Sequence, residues 1–281
     1  MSKYDDIVTI FFQGHLSARS VAANYAGTAG VKYITTDDTI EHAFVPNAPP
    51  ILHNIFTCKD LDDIGYGFTA NPLYWILKIK SYVVNTYCGI EGASLAHCYI
   101  TQDNIAGEND IRQYIDMIIE CIRLNPTKKI VLFGCSRGAA ATIIVLANLN
   151  QSILDHIKLV IVEAPFDSVE SVVHNSAWFP TATMNMLNMF TAYKPTQQSP
   201  LDAVNIDIFP SIPIAFITSK VDNRVPIENT MNLINILKNK QHPHVHHLVL
   251  EKSHHALMFA HNKEDQEKYV HFVNQLYDMY I

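Results

Sequence analysis

The regular alternation of apolar runs with helical patterns after residue 128 constrains the fold more than any other feature of the sequence. Short continuous apolar runs predict buried strands, and segments with apolar residues every three to four positions predict the helices between them. The predicted strands are 130–133, 158–166, 212–219 and 244–251, and the predicted helices end near 148, begin at 226 and span 266–280. Strands that are apolar throughout are covered on both faces. The fold class is therefore predicted to be α/β, with a mostly parallel central sheet and helices on both faces.

The first 128 residues carry weaker versions of the same pattern. The predicted elements are a strand at 6–12 ("DIVTIFF"), a helix at 17–27 and a strand at 49–58. The segment "IRQYIDMIIECIRL" then predicts a helix, since one face of it carries Ile111, Ile115, Ile118 and Ile122. Asn109 or Asp110 is expected to cap its N-terminus.

The chain is predicted to form a single domain over residues 1–281, because its 48% hydrophobic content suffices for one large core and no internal repeat is present. Residues 175–209, rich in Met, Phe, Trp and Pro, lie between two predicted strands where about a dozen residues of crossover are needed. This segment is a candidate lid or cap, and a plain surface insertion is the alternative.

The net charge argues against several classes of partner, and the cysteine content indicates reduced thiols. The net charge is -7 and the 20 basic residues form no stripe or cluster, which argues against nucleic acid and anionic membranes. The five cysteines are odd in number and include no close pair, as expected for reduced thiols. Neither a signal peptide nor an apolar stretch of about 18 residues is recognisable, so we expect a soluble, cytoplasmic protein with no integral membrane segment.

The segment "GCSRG" places Ser136 between Gly134 and Gly138, directly after a predicted strand and before a predicted helix. A sharp turn at this junction strains the serine backbone and leaves no room for side chains at the flanking positions. The hydroxyl is then presented at the N-terminus of a helix, whose dipole favours negative charge. A nucleophile is therefore predicted, and a structural serine is the alternative.

A nucleophilic serine needs a base, and the base needs an orienting carboxylate. Asp222 follows the strand "IPIAFITS", and His254 and His255 follow the last predicted strand. Because carboxyl ends of parallel strands meet at one edge of a sheet, these groups are expected near Ser136, with one of the two histidines as the base.

With these residues, nearly the whole chain resembles the α/β-hydrolase superfamily. "IFFQGH" is similar to the family's strand with a His-Gly turn, "DDIGYGFT" to its next glycine-rich turn, and "TSKVDNRVP" to its acid turn. "LEKSHHAL" is similar to the strand that ends in the family's histidine motif. The sequence departs from the family at Gln13, Ile64 and His254, where histidine, arginine and glycine are usual.

The resemblance implies a role for each candidate residue. Ser136, Asp222 and His255 would form a catalytic triad, with His254 as the alternative base. Asp167, at a position from which some family members supply the acid, is the alternative to Asp222. The resemblance also implies an oxyanion hole formed by the backbone N–H groups of Arg137 and His15.

Two further patterns are discounted. His242, His244 and His246 alternate along one strand, but without a carboxylate or cysteine beside them we interpret them as edge or loop histidines rather than a zinc site. "GYG" at 65–67 lacks the third glycine of a dinucleotide-binding loop. Neither a metal nor another cofactor is therefore predicted.

The predicted function is a serine hydrolase that cleaves a carboxylic ester, with the Met-rich segment 175–209 suggesting an apolar acyl group and a small-molecule or lipid-like substrate. A thioesterase or peptidase using the same triad is the alternative. A peptidase of this fold would favour an added gating domain, for which the length leaves no room, so only a small-peptide peptidase stays open. The competing class is a non-catalytic binding protein with this scaffold. Oligomeric state is left open.

Overall fold

The computed structural model describes residues 7–12, 106–190, 193–255 and 257–281 of the chain. Several sequence-based predictions lie outside these ranges. They are the helix at 17–27, the strand at 49–58, the "GYG" turn at 65–67, the turn Gln13–Gly14–His15, Ile64, and the cysteines Cys58, Cys88 and Cys98.

Five parallel strands form one sheet, and they lie side by side in the order in which they occur along the chain. The strands are β1 (Ile7–Phe12), β2 (Lys129–Cys135), β3 (Ile157–Glu163), β4 (Ile214–Ser219) and β5 (Val245–Leu250). Each coincides with a predicted strand, and the prediction of an α/β fold with a mostly parallel sheet is confirmed.

Burial along the strands explains why their sequences are apolar without alternation. Every residue of β1 and β4 is buried, although successive side chains point to opposite faces of a sheet, so both faces are covered there. Strand β5 is different, because five of its six residues are only partly buried. It forms one edge of the described sheet.

Eight helices are described. They are α1 (Glu108–Leu124), α2 (Arg137–Asn148), α3 (Gln151–Leu154), α4 (Val169–Ser176), α5 (Pro180–Phe190), α6 (Pro200–Asn205), α7 (Ile227–Asn239) and α8 (Lys263–Tyr280). Helix α2 packs against β2, and Ala139, Ala140 and Ala141 near its start are fully buried. Helix α1 packs on α2, α7 packs on β4 and β5, and α8 packs on β3 and β5.

The start of α1 differs from the prediction. Gly107 is the N-cap and provides no side-chain hydrogen bond, so the expected cap at Asn109 or Asp110 is wrong. Asp110 instead lies within the first turn, where its buried carboxylate accepts a 2.8 Å hydrogen bond from the Ala106 N–H. The same carboxylate lies 3.8 Å from the buried guanidinium group of Arg137, so it connects the N-termini of α1 and α2.

The candidate lid segment 175–209 contains two helices, α5 and α6. Helix α6 begins with a capping box formed by Ser199 and Asp202, and it packs on α2 and α7. The part of the segment at and near α5 is more exposed, because Trp178, Phe179 and Met189 show 66%, 69% and 72% of their surface to solvent. Its role as a lid stays a prediction.

No helix in the described ranges combines the length and apolar character required to cross a bilayer. Both described cysteines, Cys121 and Cys135, carry free thiols. Burial raises the pKa of the Cys121 thiol to about 11, so this group stays protonated near neutral pH.

Three histidines in or next to β5 make the stability of the fold sensitive to acid. Burial lowers the pKa of His242, His246 and His247 from the usual value of 6.5. On unfolding these imidazoles regain that value, so below about pH 6.5 the unfolded chain takes up protons that the folded chain does not. We expect the free energy of unfolding to be insensitive to these groups above about pH 7 and to fall as the pH drops below about 6.5. Urea unfolding at about pH 7.5 and 5.5 measures the difference.

The matched comparison replaces the three histidines together by glutamine. This triple variant should lose less stability between the two pH values than the wild type. His271→Gln, which changes an exposed histidine on α8, serves as the control and should behave as the wild type does. An equal acid-induced loss in the triple variant would contradict the assignment to these histidines.

Candidate active site

Ser136 occupies the sharp turn between β2 and α2, at the carboxyl edge of the sheet. Its φ of 53° lies in the left-handed region, which non-glycine residues seldom adopt. The turn is held by a 2.8 Å hydrogen bond from the Ser136 N–H to the carbonyl oxygen of Glu163 at the end of β3. The strained turn expected from the sequence is therefore present, and the half-buried serine lies at its tip.

Gly134 permits the close approach of α2 to β2. A Cβ atom at this position would lie 2.6 Å from the Ala139 Cα, 2.7 Å from the Gly138 carbonyl oxygen and 2.7 Å from the Thr142 Oγ1. Two of these three atoms belong to the backbone and cannot rotate away. The steric reason for a glycine two residues before Ser136 is confirmed at Gly134.

A continuous chain of hydrogen bonds links Ser136, His255 and Asp222. The Nε2 atom of His255 lies 2.9 Å from the Ser136 Oγ, and the Nδ1 atom lies 2.8 Å from the Asp222 Oδ2. The side chain of Asp222 is 1% exposed and that of His255 is 10% exposed. The three residues come from the ends of β2, β4 and β5, where the parallel sheet brings them together.

The environment of Asp222 determines which imidazole nitrogen carries the proton. The Asp222 Oδ1 accepts hydrogen bonds of 3.0 Å from the backbone N–H groups of Arg224 and Val225, which orient the carboxylate. An ionised carboxylate only accepts hydrogen bonds, so the His255 Nδ1 must donate. In the neutral imidazole the Nε2 atom then has a lone pair, which can accept the hydroxyl proton of Ser136.

The alternative acid and base lie apart from this chain of hydrogen bonds. Asp167 is buried, and its carboxylate accepts hydrogen bonds from the Ser171 hydroxyl and from the Asn232 side chain at 2.7 Å. His254 is exposed, and its ring packs edge-on against the ring of His261, with centroids 5.6 Å apart. His255 is therefore the histidine that contacts Ser136, and Asp222 is the carboxylate that contacts His255.

Of the two candidate oxyanion donors, Arg137 lies within the described residues. Arg137 is the first residue of α2, so its backbone N–H lies in the first helical turn, directly after Ser136. The N–H groups of that turn point out of the helix at its positive end. His15 lies outside the described residues.

Glu163 has a buried carboxylate next to the candidate site. The sequence analysis did not single out this residue. It is fully buried at the end of β3, where it accepts a 2.7 Å hydrogen bond from the Tyr269 hydroxyl and a 3.6 Å contact from the Cys135 thiol. Burial and the adjacent carboxylate raise the pKa of Tyr269 well above its usual value, so this tyrosine stays a donor. The signal in the sequence was a charged residue inside the apolar run "KLVIVEAPF".

The three alternating histidines near β5 contact other groups of the protein. The imidazole of His242 lies 2.9 Å from the Pro210 carbonyl oxygen, whereas His244 and His246 pack edge-on against the ring of Tyr280. Within the described part of the chain, no cluster of three or more His, Cys, Asp or Glu side chains is arranged to hold a metal ion.

Comparisons with known proteins agree with the fold. A model of the prolyl oligopeptidase family matches residues 101–279, which include all three candidate triad residues. No curated protein sequence matches the chain significantly.

Two solved structures show the extent of the structural likeness. An acylaminoacyl peptidase in complex with Z-Gly-Gly-Phe-chloromethyl ketone has a TM-score of 0.50 at 18% identity, over 62% of this chain and 28% of that one. The acylaminoacyl peptidase of Pyrococcus horikoshii has a TM-score of 0.50 at 17% identity, over 66% of this chain and 29% of that one. The chain thus spans less than a third of the length of these peptidases. The resemblance to the α/β-hydrolase superfamily is confirmed.

The short distances around Gly134 lead to a test of the sharp turn between β2 and α2. Gly134→Ala should lower the free energy of unfolding by about 3 kcal/mol, because the added methyl group overlaps backbone atoms of α2. Adding Thr142→Ala should not restore stability, since it removes only the contact with a side chain. Urea unfolding measures both variants.

Ala147→Gly, near the other end of α2, is the control for a general weakening of the helix, and it should lower the free energy of unfolding by about 1 kcal/mol. Wild-type stability in Gly134→Ala would contradict the close packing of β2 and α2.

Proposed function

The chain belongs to the prolyl oligopeptidase family, which consists of serine hydrolases with the α/β-hydrolase fold, and from this premise we propose that Ser136, His255 and Asp222 form its catalytic triad. The observation that carries the proposal is the unbroken chain of hydrogen bonds, 2.9 Å and 2.8 Å long, from the Ser136 hydroxyl through the imidazole to the carboxylate. Family membership alone would leave the residues open.

In the proposed reaction, the Ser136 Oγ attacks the carbonyl carbon of an acyl substrate while the His255 Nε2 takes the hydroxyl proton. The imidazolium that forms is stabilised by Asp222, which keeps its charge. The tetrahedral intermediate collapses as His255 gives the proton to the leaving group, and an acyl-enzyme remains. Water, activated by the same imidazole, then attacks the acyl-enzyme and regenerates Ser136.

The backbone N–H groups of Arg137 and His15 are proposed as the oxyanion donors. The position of Arg137 at the positive end of α2 supports its part, because charge develops on the carbonyl oxygen next to the attacked carbon. The part of His15 rests on the resemblance of "IFFQGH" to the family's turn.

Two substrate classes follow from different observations. Family membership supports cleavage of a peptide bond in a short peptide. The exposed apolar side chains near α5, including Trp178, Phe179 and Met189, support a carboxylic ester with an apolar acyl group, if the segment 175–209 acts as a lid over the site. The triad itself favours neither class, because it cleaves esters, thioesters and amides alike.

Labelling with a fluorophosphonate probe tests the activated serine. Ser136→Ala and His255→Ala should abolish labelling, and Asp222→Asn should slow it on the order of 10⁴-fold, because the amide no longer stabilises the imidazolium. The measurement is the rate of covalent probe incorporation into folded protein.

Variants of the alternative residues are the matched controls for that experiment. Asp167→Asn and His254→Ala should label at close to the wild-type rate, since neither side chain contacts Ser136 or His255. A folded wild type that does not react would sink the triad proposal and favour the non-catalytic binding protein. Loss of labelling in Asp167→Asn but not in Asp222→Asn would reassign the acid.

A series of p-nitrophenyl esters and matching p-nitroanilides tests the substrate class. If an apolar pocket receives the acyl group, kcat/KM for esters should rise with chain length by up to roughly fourfold per methylene. The double variant Trp178→Ser, Met189→Ser should flatten this rise. A flat ester series in the wild type together with efficient anilide cleavage would favour the peptide-bond class.

A further inference from the structure

The buried carboxylate of Asp265 binds the segment that leads to His255. The carboxylate accepts hydrogen bonds from the backbone N–H groups of Glu251 at 3.2 Å and Lys252 at 2.8 Å, and from the Ser253 hydroxyl at 2.7 Å. Asp265 and Ser253 are fully buried. Three consecutive residues between the end of β5 and His255 are thus tied to one side chain of α8.

The carboxylate is charged and its orientation is set from both sides. Burial on its own raises the pKa of Asp265, but the hydrogen bonds from its three donors outweigh this and hold the pKa below its usual value. The residue lies in the first turn of α8, where the helix dipole favours a negative charge and the Asn262 side chain caps the helix. The carboxylate that binds residues 251–253 is therefore part of a capped helix and not of the loop itself.

The anchored segment begins where the turn that carries Asp222 also begins. The Lys220 N–H donates a 2.9 Å hydrogen bond to the carbonyl oxygen of Leu250, so the ends of β4 and β5 are joined immediately before the two segments diverge. From that joint, Asp222 lies two residues beyond Lys220, and His255 lies two residues beyond Ser253. The distance between the Asp222 carboxylate and the His255 imidazole therefore depends on the path of residues 251–253.

We propose that Asp265 is a positioning residue that keeps the His255 imidazole within hydrogen-bond distance of both Ser136 and Asp222 by holding residues 251–253 on helix α8. The inference rests on the proposed triad. Asp265 does not touch the reacting atoms and acts only through the backbone that leads to His255. A misplacement of about 1 Å in such a site lowers the rate on the order of 10²-fold, which sets the size of the expected effect.

Asp265→Asn is the sharpest substitution, because it preserves size while it removes the negative charge and the ability to accept on both sides. All three partners donate, whereas an amide has one accepting oxygen and one donating nitrogen. In either orientation the Asn NH₂ group faces a backbone N–H, of Glu251 or of Lys252. We expect the rate of probe labelling and kcat to fall about 10- to 100-fold, with KM within about threefold of the wild type.

Glu264→Gln is the matched control, since it makes the same change from carboxylate to amide one residue earlier. Glu264 is exposed and pairs only with Lys252 and Lys268 at the surface. It should label and turn over within about twofold of the wild type. Ser253→Ala removes one donor and leaves both backbone donors, so it should slow labelling about threefold and keeps the test valid if Asp265→Asn does not fold.

A spectroscopic readout separates positioning from general stability and from activity. The proton of the His255 Nδ1 in its bond to Asp222 should give a far-downfield NMR resonance, assigned by its loss in His255→Ala. This resonance should weaken or move upfield in Asp265→Asn and remain in Glu264→Gln. All spectra are recorded well below the melting temperature of each variant.

Each outcome bears on the inference. An unchanged resonance together with an unchanged kcat in folded Asp265→Asn would overturn it and leave Asp265 with a structural role only. Absence of the resonance in the wild type would contradict the His255–Asp222 contact and the inference with it. If the wild type shows the resonance but no labelling, the proposed function fails, whereas loss of the resonance in Asp265→Asn alone would still support the positioning role.

Discussion

The close contact between strand β2 and helix α2 is the constraint on which the site depends. Without side-chain atoms at Gly134, the first turn of α2 lies directly against the end of β2, and Ser136 is forced into a left-handed conformation at the junction. The backbone hydrogen bond to Glu163 fixes this turn to β3. The strain is tolerated because the buried residues of β2 and α2 are held on both sides by the core.

Several buried carboxylates lie close to the carboxyl edge of the sheet, and three of them make different contacts around the candidate site. Asp222 accepts from two backbone N–H groups and from His255, so it orients the imidazole. Glu163 accepts a hydrogen bond from Tyr269 and contacts Cys135, the residue before Ser136. Asp265 accepts from the segment before His255. A buried charge is costly unless donors surround it, so each carboxylate holds in place the backbone or side-chain groups that donate to it.

The geometry of the proposed triad and the choice of substrate are separate properties of this molecule. The hydrogen-bonded chain is built from the ends of three strands of a rigid sheet and supports acyl transfer as a class of reaction. The groups that would select an acyl chain or a peptide belong to the connecting segments, such as 175–209, whose apolar side chains are partly exposed. Loops vary on a constant scaffold, which is why one family can accept different substrates.

The sequence by itself predicted the five described strands, the parallel sheet and the sharp turn at Ser136, because continuous apolar runs and a glycine-flanked serine are local signals of burial and backbone sterics. It also placed Asp222 and His255 at strand ends, although it left Asp167 and His254 as alternatives. Only the tertiary structure shows that hydrogen bonds join Ser136 to His255 and His255 to Asp222, because these contacts depend on how the segments after β2, β4 and β5 meet. The same holds for the cap of α1, where Asp110 bonds to Ala106 and faces Arg137 instead of capping. Asp265 looks in the sequence like an ordinary acidic residue in the first turn of a helix. Its importance follows from burial against a segment that precedes it by more than ten residues, which no local pattern encodes.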